Sequence, residues 1–263
     1  MKVIKDLVYL IDMDGTIYRG STPVPYAEEF IRYLQENERK FLMVTNCPEN
    51  STEALLQKVR EMGIEIGEEN IISSGDATAG YISDNTTYKR IYLIGNEAFK
   101  DKLIEKGLQI VSDNPDCVVV GYDREFDYKK MKEATQFILD GAGFICTNCD
   151  NTIPEGDKIV PHTGSIVASI ETATGVKPIM IEKPERYLLD AAINRFNCSK
   201  EQCCMIGDRL DTDIYFGVKQ DIISFLVLTG ITNKKILKDS EIQPTKIFND
   251  LSEVMLFDKE NIY

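Results

Sequence analysis

The stretch Leu7-Val8-Tyr9-Leu10-Ile11-Asp12-Met13-Asp14-Gly15-Thr16 decides the reading of this chain. A run of apolar residues without alternation predicts a strand buried on both faces, as in a parallel sheet. The run stops at two carboxylates and a glycine, a residue that permits a sharp turn. In open parallel sheets, ligands bind beyond the carboxyl ends of the strands. Residues two apart on a strand face the same way, so Asp12 and Asp14 can address one site. An Asp-rich turn after a strand is also a common surface feature, and this segment alone leaves both readings open.

Three further segments repeat the arrangement. Phe41-Leu42-Met43-Val44 runs into Thr45-Asn46, a hydroxyl and an amide able to hold phosphate oxygens. A strand predicted over 178–182 precedes Lys183, a point positive charge, and Pro184, which suits a helix start. Cys203-Cys204-Met205-Ile206 leads into Gly207-Asp208-Arg209-Leu210-Asp211-Thr212-Asp213. Each has an ordinary explanation as a helix cap, a solvated lysine or an acidic turn. Four such loops, each after a predicted buried strand, point together to one site.

Around these segments, apolar runs alternate with helix-length amphipathic stretches. Helices are expected at about 26–36 and 51–62, the second starting at Ser51-Thr52-Glu53, with a strand over 41–45 between them. A second series follows: strand 90–94, helix 97–106, strand 116–121, helix 128–140, strand 143–147, loop-rich sequence over 148–164 and a helix to about 174. The last series has helix 185–196, strand 203–206, helix 211–219 and strand 222–227, then a helix, a short strand near 246–249 and a final helix. The alternation predicts an α/β protein with a largely parallel sheet.

Composition narrows the partners. Lys plus Arg number 30 against 43 Asp plus Glu, a net charge of −13 over 263 residues. Such a surface repels polyanions, and no dense Lys/Arg cluster overrides it, so nucleic acid is excluded. No stretch approaches the ~20 apolar residues that span a bilayer. The first apolar run is too short for a signal peptide and is broken at Asp12, so a cytoplasmic protein without membrane contact is expected. Seven cysteines, an odd number, are expected as reduced thiols. Cys146 and Cys149 have CxxC spacing, but zinc needs two more ligands and His162 is the only histidine. Ser165 lacks a surrounding GxSxG, and Gly141-Ala142-Gly143 opens no GxGxxG, which removes a serine hydrolase and a dinucleotide site.

The motifs DMDGT (12–16), VTN (44–46), the lysine of EKP (182–184) and GDRLDTD (207–213) resemble the four ordered motifs of haloacid dehalogenase (HAD) phosphatases. The resemblance extends over about residues 7–235. The long insertion resembles the C2a cap of the NagD/4-nitrophenylphosphatase subgroup, through VVVGYDREFDYKKM, TNCDNTIPEGD and HTGSIVASIETATG. Only 28 residues separate Thr16 from Thr45, which leaves no room for the C1 cap of other HAD enzymes.

The resemblance implies a Rossmann-like HAD core of residues 1–79 and 179–263, with a parallel sheet. An α/β cap of residues 80–178 would decide substrate choice. It makes Asp12 the nucleophile that becomes a phosphoaspartate, and Asp14 the acid and base that serve the leaving oxygen and the water. Thr45 and Lys183 would hold the phosphoryl group, with Gly15 and Asn46 assisting. Mg²⁺ would be bound by Asp12, Asp208 and the backbone carbonyl of Asp14, with Asp213 orienting the site from further out. The implied partner is a small phosphorylated metabolite, since a cap excludes polymers, and the implied assembly is a monomer or homodimer.

Charge arithmetic supports the metal. A like-charge contact at ~4 Å costs about 4 kcal/mol at an effective dielectric of ~20, so carboxylates beside a phosphate dianion need cations. A phosphotransferase or mutase shares the intermediate, and a receiver-like module shares the acidic cluster without turnover. Asp14 and the large insertion favour turnover. Two departures from the family pattern are Cys47-Pro48 after Asn46 and Glu182 before Lys183, where relatives tend to have glycine; Glu182 is expected to point outward. Cys47 is expected to be a small semi-buried side chain, with a thiol able to crowd the phosphate loop as the alternative. Asn148, Asp150, Arg124 and His162 lie in cap loops that could face the leaving group.

Overall fold

In the computed structural model, residues 6–156 and 158–261 are described; the first five residues, Asp157 of TNCDNTIPEGD and the last two residues lie outside them. The apolar run becomes the strand Val8–Asp12, in which Val8, Tyr9, Leu10 and Ile11 are fully buried. A strand covered on both faces must lie inside a sheet, and here it has a neighbour on each side. The six-stranded sheet runs in the order Lys246–Phe248, Ile223–Val227, Cys203–Gly207, Val8–Asp12, Lys40–Thr45, Ile71–Ser73. The pairings of the first five strands are parallel, with Val8 opposite Cys203 on one side and Lys40 on the other.

From Val8–Asp12 the chain steps outward to Lys40–Thr45, and the late strands build outward in the opposite direction from Cys203–Gly207. The order therefore reverses between Val8–Asp12 and Cys203–Gly207, and doubly wound sheets open a crevice at such a switch point. The three strands around it deliver Asp208, Asp12 and Thr45 side by side.

The chain divides into two compact units. The first comprises the sequence through Thr45, Thr52–Ile72 and everything from Lys183 onward. Its sheet packs against Ala27–Glu36 and Leu251–Asn261, with Tyr9, Phe30, Leu34, Phe225, Phe248 and Val254 in one apolar cluster. The last helix is also tied by charge. Asp258, fully buried, accepts from the Tyr9 hydroxyl, the Tyr33 hydroxyl (2.6 Å) and Arg39 Nε (3.0 Å).

The second unit comprises Asn46–Ser51 and Ser73–Glu182, where the sequence reading set the inserted domain at 80–178. Its five-stranded sheet has the order Ile179–Met180, Gly143–Cys146, Cys117–Val120, Arg90–Ile94, Gln109–Ile110, all parallel. Tyr128–Leu139 and Thr163–Thr174 bury Ala134, Ile138, Ile166 and Ile170 against it. Helix starts are set locally: Asp127 accepts from Lys130 N–H and Asn96 from Phe99 N–H. Ser73 and Asp76 form a capping box for Ser74–Asn85, a helix the sequence reading did not assign.

Three expectations are corrected. The sequence over 148–164 is not loop throughout: Thr152–Glu155 and Lys158–Pro161 pair as an antiparallel hairpin. Pro154 and Pro161 make the arms read as non-strand, since proline withholds a ladder donor. The strand expected at 178–182 is only Ile179–Met180, and it lies at the edge of the second unit's sheet with both residues exposed. Pro184 does not open a helix, which begins at Tyr187.

Replacing Asp258 by alanine leaves a guanidinium and two phenols without their common acceptor. Chemical denaturation of Asp258→Ala is expected to show a loss of roughly 3 kcal/mol in the unit carrying the six-stranded sheet, as when one partner of a buried ion pair is removed.

Candidate active site

Lys183 begins the returning segment of the first unit, and its side chain, ammonium included, is only 2% exposed. Isolating such a charge from water is costly, so its surroundings must supply the opposite sign. They do: Lys183 Nζ donates to Asp12 Oδ1 at 2.5 Å and to Asp213 Oδ1 at 2.7 Å. Burial works against the ammonium, but the two aspartates more than offset it and raise its pKa.

Asp208 completes the group. One carboxylate oxygen from each of Asp12, Asp208 and Asp213 lies within 4.8 Å of the others, and the three side chains are buried or nearly so. Three carboxylates face one ammonium, which leaves an excess of negative charge in a space largely closed to water. Burial, and then repulsion from Asp213, pushes Asp12 up to about 8 despite Lys183. Burial likewise pushes Asp208 up to about 6, although an N–H from Ile231 pulls the other way. Asp208 Oδ1 is buried with no hydrogen-bond partner. An unmatched acceptor beside two further carboxylates is the donor set a hard divalent cation takes.

Loops from the strand ends hold these groups. Gly15, at φ +91°, turns the chain after Asp14, and a Cβ there would sit 2.5 Å from the Asp208 carboxylate. Gly207 clears Asp213 in the same way, a Cβ lying 2.3 Å from it. The segment 229–232, which the sequence reading passed over, does as much: Ile231 N–H donates to Asp208 Oδ2, Thr232 N–H to the Asp208 carbonyl and Thr229 Oγ1 to the Gly15 carbonyl. A Cβ on Gly230 would lie 1.7 Å from Asp208 Oδ2. No motif in 229–232 announces this, because its contacts are made to residues about 20 and 215 positions away.

Asp14 follows the strand, is more open than its neighbours and is raised by partial burial, with Lys58 pulling it down. Thr45 is 8% exposed at the end of its strand. Thr16, named only as part of its motif, is buried with an unpartnered Oγ1. Asp213, expected at a distance from the metal, brings its carboxylate into the cluster itself.

The remaining candidates lie in the second unit. Asn46 Nδ2 donates to Glu182 Oε2 at 3.2 Å, so Glu182 does not simply point outward. Asn148, Asp150 and His162 join one network: Asn148 Nδ2 meets Asp150 Oδ2 at 3.1 Å and His162 Nδ1 at 3.2 Å, while His162 stacks on Tyr122. Arg124 pairs with Glu155. Cys47 is a half-buried thiol that is in no disulfide, and the Cys146 and Cys149 sulfurs lie 3.8 Å apart without a disulfide.

Comparison with known proteins agrees with this geometry. A haloacid dehalogenase-like hydrolase model matches residues 9–109, and a HAD-hydrolase-like model matches residues 180–254. The acid sugar phosphatase of Staphylococcus haemolyticus is 37% identical over 245 residues, 93% of each chain. The crystal structure of a 4-nitrophenylphosphatase from Thermotoga maritima superposes with a TM-score of 0.89 at 34% identity, covering 95% of this chain and 96% of that one. A glycerol phosphate phosphatase from Mycobacterium tuberculosis, solved in complex with magnesium, gives 0.86 at 30% identity, covering 95% and 76%. The chain therefore belongs to the HAD superfamily of hydrolases. Within it, the protein is a phosphatase of the NagD/4-nitrophenylphosphatase subgroup.

The 1.7 Å approach makes Gly230 a sensitive point. Gly230→Ala should displace the Asp208 carboxylate and lower kcat/KM by about 100-fold, the scale of a 1 Å misplacement. Gly80→Ala, where nothing lies within 4 Å of the added Cβ, should leave kcat/KM unchanged. Steady-state kinetics on a chromogenic phosphomonoester checks both.

Proposed function

We propose that this phosphatase hydrolyses small phosphomonoesters, sugar phosphates foremost, through a phosphoaspartate formed on Asp12 with Mg²⁺ as cofactor. The observation that carries the proposal is the buried group of Asp12, Asp208 and Asp213 around one ammonium, with an acceptor of Asp208 left over at the switch point of the sheet. The names of the relatives support the substrate class, and the magnesium complex of one supports the ion.

Asp12, Asp208 and Asp213 would hold Mg²⁺, with the Asp14 carbonyl, and the ion would neutralise charge on the phosphoryl oxygens. In the first half-reaction, an Asp12 oxygen bonds to phosphorus as the ester P–O bond breaks, and Asp14 gives its proton to the departing alkoxide. In the second, water attacks the phosphoaspartate, Asp14 takes a proton from it, and phosphate leaves with Asp12 restored. An acid that must first donate profits from a raised pKa, the direction in which Asp14 is moved. Thr45, Asn46 and the Gly15 turn would hold phosphoryl oxygens. Lys183 would hold Asp12 in line and oppose the negative charge of the phosphate. Hydrolysis is favoured over transfer to a second acceptor by Asp14, which can serve both the leaving group and the water. The second unit, as the cap, would choose the leaving group.

Asp12→Asn keeps the volume and removes the nucleophile. It should fold normally and lose at least about 1,000-fold in phosphate release, the scale for removing a nucleophile. Intact-mass spectrometry of acid-quenched wild type with substrate should show one added phosphoryl group, absent from the variant.

A pH prediction follows from the carboxylates. Unfolded, Asp titrates near 3.8; folded and metal-free, Asp12 titrates near 8 and Asp208 near 6. Raised carboxylate values favour the folded state at low pH, and this contribution is lost as pH climbs from about 4 to 8. Metal must displace these protons, so its affinity rises over the same range. The increase in Tm given by saturating Mg²⁺ should be larger at pH 8 than at pH 5.5, and calorimetry in buffers of differing ionisation enthalpy should show proton release.

A further inference from the structure

The motif Cys146-Thr147-Asn148-Cys149 takes no part in the phosphatase reading, and it lies wholly within the second unit. Cys146 ends its strand and is fully buried. Three residues later the chain brings Cys149 back, so that the two sulfurs lie 3.8 Å apart. The backbone of Cys149 is fixed from two sides. Its N–H donates to Glu182 Oε1 at 3.0 Å, and its carbonyl packs on Gly164, where a Cβ would lie 2.3 Å from the oxygen.

A third sulfur stands beside the pair. Met180 is the register partner of Cys146 in the neighbouring parallel strand, so both side chains leave the sheet on the same face. Cys149 Sγ lies 3.1 Å from Met180 Sδ and is therefore close to both residues. Met180 is 37% exposed, which gives the three sulfurs an opening to solvent. The other close thiol pair, Cys198 and Cys203 at 3.9 Å, has the Ser199 carbonyl beside it instead of a thioether.

Two thiols and a thioether are soft, polarisable donors, and such sets select Cu(I) over harder ions. Three sulfurs evenly spaced in a plane around an ion ~2.3 Å away stand about 4 Å apart. The Cys146–Cys149 separation already has that spacing. The Cys149–Met180 contact must open by about 1 Å, a small movement for the flexible end of a methionine side chain. Zinc is less well served, because it takes thiolate, imidazole and carboxylate, and His162 Nδ1 is engaged by Asn148. A disulfide would use two of the sulfurs and give Met180 no task. The nearby Cys149 thiol, and then burial, also raises the pKa of Cys146, which holds it in the protonated form that does not exchange with disulfides.

We propose that Cys146, Cys149 and Met180 form a site for a soft monovalent cation, Cu(I), bound by two thiolates and a thioether. Binding forms two copper–thiolate bonds and releases two protons, with no change of oxidation state. The chain then sorts metals by donor chemistry. The oxygen donors of Asp12, Asp208 and Asp213 suit a hard divalent ion, and the three sulfurs suit a soft monovalent one.

The test uses the full chain, reduced with a phosphine and kept free of oxygen, titrated against the coloured complex of Cu(I) with bicinchoninate. Wild type is expected to withdraw one equivalent of Cu(I). Cys149→Ser should lose more than about 100-fold in affinity, beyond what a supporting group carries, and Met180→Leu about tenfold. Cys198→Ser, at the other thiol pair, should bind as wild type does. X-ray absorption should find three sulfurs around copper in wild type and two in Met180→Leu. Circular dichroism checks that each variant folds; if Cys149→Ser does not, the affinity and sulfur count of Met180→Leu decide alone. Unchanged affinity in Cys149→Ser, or an equal loss in Cys198→Ser, would put the copper on other thiols and overturn the proposal. Unchanged affinity and sulfur count in Met180→Leu would overturn it as well. Recovery of a Cys146–Cys149 disulfide without bound metal, read by intact mass as the loss of two hydrogens, would make the pair a redox couple and the copper site wrong.

Discussion

A lysine ammonium closed off from water between two aspartates is the interaction on which the rest of the core depends. Lys183 holds Asp12 and Asp213 at hydrogen-bond distance, and Asp208 stands beside them. Remove the ammonium and three buried carboxylates repel one another; remove the carboxylates and a buried ammonium is left unmatched. The group is therefore tolerable only as a whole, and it remains short of positive charge even when whole. That deficit is a chemical property of the site. It raises the proton affinity of Asp12 and Asp208, and it makes the place attractive to a divalent cation.

Holding like charges so close requires backbone that gives way around them. Three glycines do this from three directions: Gly15 and Gly230 beside Asp208, and Gly207 beside Asp213. The N–H of Ile231 then supplies Asp208 with a donor from the segment that closes over it. Such an arrangement stores unfavourable electrostatics at the end of a sheet whose central strands are buried on both faces. The apolar interior, together with the Asp258 network that pins the last helix, provides the stability against which that cost is set.

The second unit is organised by different means. Its sheet is parallel as well, but its polar side chains bond one another in local networks: Ser73, Asp76 and Lys102 at its entry, and Asn148, Asp150 and His162 in its loops. Three of the four side chains expected from the sequence to face a leaving group are thus structural partners within their own unit, and the fourth, Arg124, pairs there with Glu155. Side chains that already have partners are ordered in advance, which lowers the entropy lost if they are engaged on binding.

The parallel α/β fold and most of the candidate site were legible in the sequence, because both are encoded locally. An unbroken apolar run reads as a central strand without knowledge of its neighbours, and Asp12, Thr45 and Asp208 each leave such a run. The HAD motifs and the short gap between Thr16 and Thr45 located the insertion. Other features depend on residues far apart in the chain. The strand before Lys183 was expected to be buried like the other three, yet Ile179–Met180 lies exposed at the edge of the second unit's sheet; two residues carry too little pattern to say where they join. Gly230 is ordinary until Asp208 is placed against it, and the Asp213 carboxylate joins the cluster only through a turn that brings it back to Lys183. Glu182 could be called a departure from the pattern, but its partner lies 136 positions earlier. Local pattern and motif determine which strands form and which residues carry charge at their ends. Which charges share a buried space, and which backbone must make room for them, was decided only by the tertiary structure, since burial and clearance are properties of neighbours that the chain brings together from a distance.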